Sequence, residues 1–237
     1  MNKKLLIASA AVALFAAGSA QAAVIQLNSV SGIWTSTNPG SPAVSGAGTK
    51  EIRWGDDSPR SGYRFDGFTP LPANVTENTE FDLGTFTHFN WPITGTALNQ
   101  AQLTVESSFF IDGTLETVSS VFEFEHWETP NAGPCPNNSI PYLNINGCGD
   151  RVTFALNVGA SDSFLIDGVN YFVDISGFFY DGALASEFWT KEKKDNEAIL
   201  KGVITSRPVS VPEPSTLALL GLGLLGFGVR KRMAKAA

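Results

Sequence analysis

Histidine, cysteine and recognisable catalytic motifs are all scarce in this chain. Its 237 residues include only two histidines and two cysteines. The sequence has no Gly-x-Ser-x-Gly motif, no His-Glu-x-x-His motif and no glycine-rich loop of the kind that cradles phosphate. These absences argue against the familiar serine hydrolases, zinc peptidases and nucleotide-dependent enzymes. We therefore expect no enzymatic activity, no catalytic residue and no metal ligands.

Basic residues are scarce once the two ends of the chain are set aside. Six of the 16 Lys and Arg residues lie within the first four or the last eight positions, whereas only Glu213 of the 23 acidic residues lies beyond residue 212. The segment 23–212 therefore carries 10 basic and 22 acidic residues, a net charge of −12. Such a surface repels nucleic acid and anionic lipid, so nucleic acid is not an expected partner.

The start of the chain has the pattern of a signal peptide. A positive n-region and an apolar h-region at 5–17 precede Ala20-Gln21-Ala22, which has the small-x-small pattern of a cleavage site. We expect signal peptidase to cut between Ala22 and Ala23. Residues 1–22 are then the signal peptide.

The end of the chain carries three signals in order. Val211-Pro212-Glu213-Pro214 lies in a proline-punctuated linker at 207–215, and an apolar run at 216–229 and a basic tail at 230–237 follow. As a helix, the run would span roughly 21 Å at ~1.5 Å per residue, less than a hydrocarbon core of about 30 Å. Because basic residues follow it directly, we expect a short, weak transmembrane helix with a cytoplasmic tail.

This order of motif, apolar run and basic tail resembles the PEP-CTERM tails of Gram-negative bacteria, which exosortase-type transpeptidases recognise. The resemblance implies that Val211, Pro212, Glu213 and Pro214 form a sorting motif and that exosortase is a processing partner. It implies transient insertion in the inner membrane, followed by release to the cell surface or the extracellular matrix. Many such bacteria make exopolysaccharide, which is then a further expected partner. The resemblance implies where the protein is sorted and implies no molecular activity.

Apolar and polar residues alternate through the segment 23–206. This period-2 pattern is clear at 101–111, 117–127, 151–158 and 169–178, and it predicts half-buried strands of antiparallel sheet. Glycine-rich turns between short strands favour one all-β ectodomain, an antiparallel β-sandwich or jelly roll. The other expected elements are Asp-Gly turns at 112–113, 167–168 and 181–182, strands near 50–54, 63–68, 79–89, 186–190 and 197–206, a surface loop at 36–48, and a short loop or turn at 191–198.

The two cysteines predict one disulfide. Export would place Cys135 and Cys148 in an oxidising compartment, where an even pair usually forms a bond. A metal site usually needs four Cys or His ligands, and a catalytic Cys needs a His partner. Prolines surround the pair with little apolar periodicity, so we expect the bond to staple an exposed loop rather than the core.

A short polar motif, Thr87-His88-Phe89-Asn90, ends one of the expected strands. On a strand, His88 and Asn90 share one face and Thr87 points to the other. The pair is suited to holding a metal or a sugar hydroxyl, or to tying the strand end to the following loop, and we favour the structural role. With the upstream segments 52–55 and 61–65, the motif resembles the THxN family of PEP-CTERM proteins. That family resemblance implies no mechanism.

The remaining polar candidates have weaker support. His126 shares parity with buried positions of its strand, so we expect a partly buried histidine, and sequence spacing alone does not bring it to His88. Glu123 and Glu125 share one strand face; we interpret that face as solvated, and a polysaccharide hydrolase using this pair is one alternative function. Acidic turns at 56–57, 144–150 and 162–167 make calcium the one cofactor that we consider.

Tryptophans motivate a second alternative function. Exposed indole rings stack on sugars in carbohydrate-binding modules, whereas a Trp beside a strand end more often packs under a loop. The sequence leaves both roles open for the five tryptophans, which are Trp34, Trp54, Trp91, Trp127 and Trp189.

Overall fold

The computed structural model describes residues 24–136, 141–155 and 163–209. These residues form an all-β domain whose one helical element is a 3-10 turn at Pro141–Asn144, so the all-β prediction is confirmed. Within the described ranges, no helix is long and apolar enough to span a bilayer. Several predicted features lie outside these residues: the signal peptide at 1–22 with its cleavage residues Ala22 and Ala23, the sorting motif Val211–Pro214, the apolar run at 216–229 and the basic tail at 230–237.

Within the described ranges, fourteen strands form two antiparallel sheets. The strands are β1 (Ile25–Asn38), β2 (Val44–Ser45), β3 (Glu51–Trp54), β4 (Ser61–Gly67), β5 (Ala73–Val75), β6 (Glu80–Asn90), β7 (Gln100–Ile111), β8 (Thr114–Trp127), β9 (Asp150–Ala155), β10 (Phe164–Ile166), β11 (Val169–Tyr180), β12 (Ala183–Ala185), β13 (Glu187–Thr190) and β14 (Lys194–Pro208). The first sheet has the order β13-β9-β8-β7-β1-β5. The second has the order β10-β11-β14-β6-β4-β3-β2, and β12 pairs with β11.

Local turn chemistry sets three of the hairpins. The turns at 112–113, 167–168 and 181–182 join β7 to β8, β10 to β11 and β11 to β12. In each turn the Asp and the Gly both have positive φ, for example 48° at Asp112 and 88° at Gly113. Tight hairpins of the primed type need positive φ at both central residues, and Asp-Gly supplies it at low steric cost. These turn predictions are confirmed.

The segment 24–48 differs from the prediction. Strand β1 runs from Ile25 through Asn38 and β2 follows at Val44–Ser45, so the surface loop expected at 36–48 is shorter than predicted. Register shifts interrupt the pairing of β1 with β7 between Leu27 and Ser29 and between Trp34 and Ser36. Each shift moves the alternation from one face to the other, which hides the strand from a period-2 search.

The last strand also extends beyond its predicted bounds. Strand β14 begins at Lys194, so the segment expected to be a loop or turn at 191–198 is a turn for only its first residues. It ends at Pro208, inside the stretch 207–215 that we expected to be linker.

The two sheets face each other across a core that changes character along the strands. In the middle, aromatic rings from both sheets meet, and Phe86 of β6 stacks on Phe124 of β8 at 5.4 Å between ring centroids. One end, here called the apolar end, is closed by hydrophobic side chains: Ile25, Leu27, Val75, Phe109, Ile111, Val118, Phe164, Ile166, Tyr171, Val173 and Ile204. The first residues of β1 and the last residues of β14 lie at this end, where Ile25 pairs with Ile111 and Val169 with Pro208. The opposite end, the polar end, holds buried polar side chains.

The disulfide between Cys135 and Cys148 is present, with Cα atoms 5.1 Å apart, and this pairing prediction is confirmed. We predicted that the disulfide lies in an exposed loop. This is wrong for Cys148, which is only 1% exposed. The Thr129 hydroxyl donates a hydrogen bond of 3.0 Å to the Cys148 carbonyl. The bond therefore ties the loop at Cys135 to the buried segment that leads into β9.

Candidate functional site

Buried polar side chains from both sheets meet at the polar end. Strands β4 and β6 contribute from the second sheet, and β8, β9 and β13 with the residues that follow them contribute from the first. We call this group the polar cluster: Tyr63, His88, Asn90, His126, Glu128, Thr129, Asp150, Thr190 and Glu192. Apart from the Glu128 side chain, which is 16% exposed, its members are buried.

His88 is held through one ring nitrogen only. Its Nδ1 lies 2.9 Å from the hydroxyl oxygen of Thr190, which also accepts a hydrogen bond from the Asn90 amide at 3.1 Å. The single hydroxyl proton of Thr190 is donated to the backbone carbonyl of Asp150 at 3.3 Å. With that assignment of the Thr190 proton, Thr190 accepts from His88, and we assign the His88 proton to Nδ1. The other nitrogen, Nε2, carries a lone pair and has no hydrogen-bond partner among the described residues.

His126 is held through both ring nitrogens. Nδ1 lies 2.7 Å from the hydroxyl of Tyr63, and Nε2 lies 3.1 Å from a carboxylate oxygen of Glu128. The side chain is fully buried, so the prediction of a partly buried histidine is wrong. Burial follows because β8 continues two residues past the aromatic core and Tyr63 covers the ring from the other sheet.

Asp150 is also held on one side only. Its Oδ1 accepts a hydrogen bond from the backbone N–H of Thr129 at 2.8 Å and lies 3.0 Å from the Thr129 hydroxyl, whose one proton it shares with the Cys148 carbonyl. Its Oδ2 is buried and has no hydrogen-bond partner in the described part of the chain. Asp150, at the first position of β9, thus presents one free carboxylate oxygen to the cluster.

Aromatic rings form the walls of the site. The Trp54 ring stacks over His88 at 5.9 Å between centroids and 25° between planes, and the Tyr63 ring lies edge-on to the same imidazole at 5.1 Å. The two imidazoles are themselves 5.1 Å apart. These walls exclude water and lower the local dielectric, which strengthens every electrostatic interaction inside.

Burial shifts the acidic side chains strongly towards the neutral form. Burial, followed by the negative charge of Glu128, raises the pKa of Asp150 to about 8. Burial raises the pKa of Glu128 to about 7, and burial with Glu128 as second cause raises the pKa of Glu192 to about 7. The three carboxyl groups therefore destabilise one another's charged forms.

The same burial keeps both imidazoles neutral. Burial, followed by the proximity of His126, holds the pKa of His88 well below its usual range. Burial lowers the pKa of His126 to about 4 although the nearby Asp150 opposes the shift. Each ring therefore keeps one unprotonated nitrogen at neutral pH, which is the form that ligates metals.

The geometry brings potential metal ligands together in two overlapping groups. One ligand atom from each of His88, His126 and Asp150 lies within 4.8 Å of the other two. The same holds for Glu128, Asp150 and Glu192, so Asp150 belongs to both groups. We had expected no metal ligands, since nothing in the sequence placed these residues together.

The structure joins the motif Thr87-His88-Phe89-Asn90 to the other sheet. His88 and Asn90 share a face as predicted, but they bind Thr190 at the end of β13 rather than the loop that follows β6. Thr87 is also buried. Sequence reasoning grouped Asp150 with the acidic turns. It missed five residues of the polar cluster: Tyr63, Glu128, Thr129, Thr190 and Glu192. The signal that was available is the chain's only two histidines, each at the end of a predicted strand.

The carboxylate pair considered for a hydrolase lies outside the cluster. Glu125 is exposed, and Glu123 accepts a hydrogen bond of 3.2 Å from Gln102 on the neighbouring strand. Their strand face points away from the buried residues of β8, which is the solvated face that we predicted.

Two tryptophans form a surface patch at the same end of the first sheet. Trp127 is 40% exposed, its ring lies 6.1 Å from that of Trp189, and the Arg151 guanidinium lies 4.9 Å from the Trp127 ring. We call these three residues the tryptophan patch. A groove beside it is lined by Asn38, Asn99, Gln100 and Glu125. Trp34 and Trp54 are fully buried core residues.

Comparison with known families identifies the end of the chain. Residues 210–232 match the PEP-CTERM protein-sorting motif, which confirms the predicted sorting motif. No curated protein matches the chain. The resemblance to the THxN family stays a prediction. The sorting motif indicates that this is an exported protein of a Gram-negative bacterium, sorted to the cell surface with exosortase as its processing partner.

Proposed function

We propose that this protein is an exported β-sandwich with a structural or interaction role, and no catalytic activity, at the cell surface or in the extracellular polysaccharide matrix. The observation that carries the proposal is the match of residues 210–232 to the sorting motif. The match begins two residues after the end of β14 at Pro208.

The route follows from the order of the signals. The signal peptide directs the chain outward, and the apolar run at 216–229 halts it with the basic tail at 230–237 held inside by the positive-inside bias. Pro212-Glu213-Pro214 then lies on the outer side, next to the membrane. Glu213 is the one charged residue in this motif, and we propose that the exosortase reads it.

Replacing Glu213 in the native host tests the sorting step. Glu213→Ala should leave full-length protein in the inner membrane, whereas Ser210→Ala, just before the motif, should be processed like the wild type. Fractionation and intact mass of the accumulated protein measure the outcome. Normal processing of Glu213→Ala, or of the wild type in a strain without exosortase, would contradict the proposal.

The tryptophan patch favours one second function, a carbohydrate-binding module. An exposed indole beside an arginine and amide side chains is suited to stacking on a sugar ring while neighbouring groups bond its hydroxyls. Affinity electrophoresis with exopolysaccharide from the host measures such binding. Trp127→Ala should weaken it about tenfold or more, as for other anchor residues, whereas Trp91→Ala on another part of the surface should not. If the wild-type protein migrates equally with and without polysaccharide, the carbohydrate-binding function is contradicted.

A further inference from the structure

We propose that the polar cluster binds one divalent transition-metal ion through His88, His126 and Asp150. The carboxylate of Glu128, which lies 3.1 Å from His126 Nε2 and is grouped with Asp150, would move onto the ion to complete the ligand set. The ion would hold the two sheets together at the polar end, because β6 supplies His88 from one sheet while β8 and β9 supply the other ligands from the second.

The state of His88 is the first support. Its Nδ1 lies 2.9 Å from the Thr190 hydroxyl, to which it donates in the tautomer assigned above, and its Nε2 is buried without a partner among the described residues. A metal-ligating histidine usually donates its second nitrogen to a neighbouring group, which fixes the tautomer and the ring orientation. A buried acceptor that lacks a partner is otherwise destabilising. Thr190 is thus placed as the positioning residue for a metal-bound His88.

Asp150 shows the same arrangement. Thr129 fixes Oδ1 through its backbone N–H and its hydroxyl, while Oδ2 is buried and has no partner within the described ranges. Two independent side chains, one from each sheet, therefore each have one buried ligand atom free, and both belong to the group whose ligand atoms lie within 4.8 Å of one another. A cluster held together only by internal hydrogen bonds has no reason to leave both atoms unpaired.

To bind the metal, His126 would have to exchange one of its hydrogen-bond partners for the ion. Its Nε2 now bonds Glu128 at 3.1 Å, and a cation between the two would convert that hydrogen bond into two metal bonds. The Nδ1–H of His126 would then be donated to the Tyr63 hydroxyl, which already lies 2.7 Å away. Both histidines would in this way have a partner for the nitrogen that does not bind the metal.

The donor set selects the class of metal. Imidazole nitrogen suits zinc, copper, nickel and iron, whereas calcium takes oxygen ligands alone. Two neutral imidazoles and two carboxylates would also balance the charge of a divalent ion, which a buried site requires. The nearby carboxyl group of Glu192 would be relieved of repulsion from Glu128 and Asp150. Asp150, which the sequence placed in an acidic turn suited to calcium, is thus assigned to a transition-metal site, and calcium at the turns 56–57 and 162–167 stays a prediction.

The test measures the metal content of the full chain. The protein is purified in detergent from a strain without exosortase, with a tag that contains no histidine, and is stripped with a chelator. Reloading with Zn²⁺ or Co²⁺ should restore one ion per chain and raise the unfolding temperature, and Ca²⁺ should do neither. X-ray absorption of the zinc-loaded protein should show scattering from imidazole. Failure to bind either ion, or a zinc spectrum without imidazole scattering, would overturn the proposal whether or not any variant folds.

Variants assign the ligands and the positioning residue. His88→Gln and Asp150→Asn should lose metal binding, and Asp195→Asn, an exposed aspartate on β14, should retain it. Thr190→Val should weaken zinc affinity about 10- to 100-fold without changing the stoichiometry, because it acts through His88. Circular dichroism at the temperature of the assay confirms that each variant is folded. Unchanged zinc affinity in folded Asp150→Asn, or equal losses in Asp195→Asn and Asp150→Asn, would contradict the assignment.

Discussion

The two ends of the β domain are built from the same long strands, yet they are closed by opposite chemistry. Strand β8 runs from Val118 at the apolar end to His126 at the polar end, and β14 runs in the other direction from Asn196 to Ile204. The apolar end needs only hydrophobic burial, which stabilises a fold without specific geometry. The polar end buries imidazoles and carboxyl groups, which is costly unless each group is satisfied. The apolar end shows that hydrophobic side chains alone can close an end of this domain. The buried polar groups of the other end therefore indicate a role beyond stabilising the fold.

The largest effect should come from opening the apolar end. Phe109→Ala removes a fully buried ring and should lower the free energy of unfolding by about 3–5 kcal/mol, from lost burial and the cavity left behind. Leu115→Ala in the same hairpin changes a half-exposed side chain and should cost less than about 0.5 kcal/mol. Urea titration measures both. If chelation changed the cost of Phe109→Ala, the two ends would not be independent.

Breaking the disulfide should have the next largest effect. Cys135→Ala with Cys148→Ala frees a loop closed between positions 13 apart in sequence and should lower stability by about 3 kcal/mol in the chain-entropy model. Hydrogen exchange should accelerate most near Thr129 and Asp150, because Cys148 joins them to the loop. Reductant should destabilise the wild type and leave the double variant unchanged. Two alkylatable thiols in the native, unreduced protein would refute the pairing itself.

The smallest effect should come from one hydroxyl at the polar end. Thr129→Val removes the bonds to Asp150 Oδ1 and to the Cys148 carbonyl and should cost about 1–3 kcal/mol, because their partners remain buried. Thr35→Val breaks an exposed pair with Thr104 and should change stability by less than about 0.5 kcal/mol. Thermal unfolding of the two variants compares them. Equal costs would mean that the buried bond is no more valuable than the exposed one.

The same contrast explains what sequence reasoning could and could not reach. The Asp-Gly hairpins and most long strands are encoded by neighbouring residues, so the pattern predicted them. Strand β1 escaped because two register shifts break its alternation. A hydrophobic core like that of the apolar end could be predicted, because the apolar faces of alternating strands must pack against one another. The polar cluster could not, because His88 and Thr190 are 102 residues apart and only the pairing of whole strands brings them together.

Strand β1 begins and strand β14 ends at the apolar end, so both termini of the described domain lie on the same side of the molecule. On the proposed route, six residues, 210–215, separate Val209 from the apolar run, and fully extended they reach at most about 20 Å. Until the tail is cut, the domain therefore stands with its apolar end towards the bilayer. The polar end, the disulfide and the tryptophan patch then point outward. Before release, a partner of the polar end would therefore be met on the side away from the membrane.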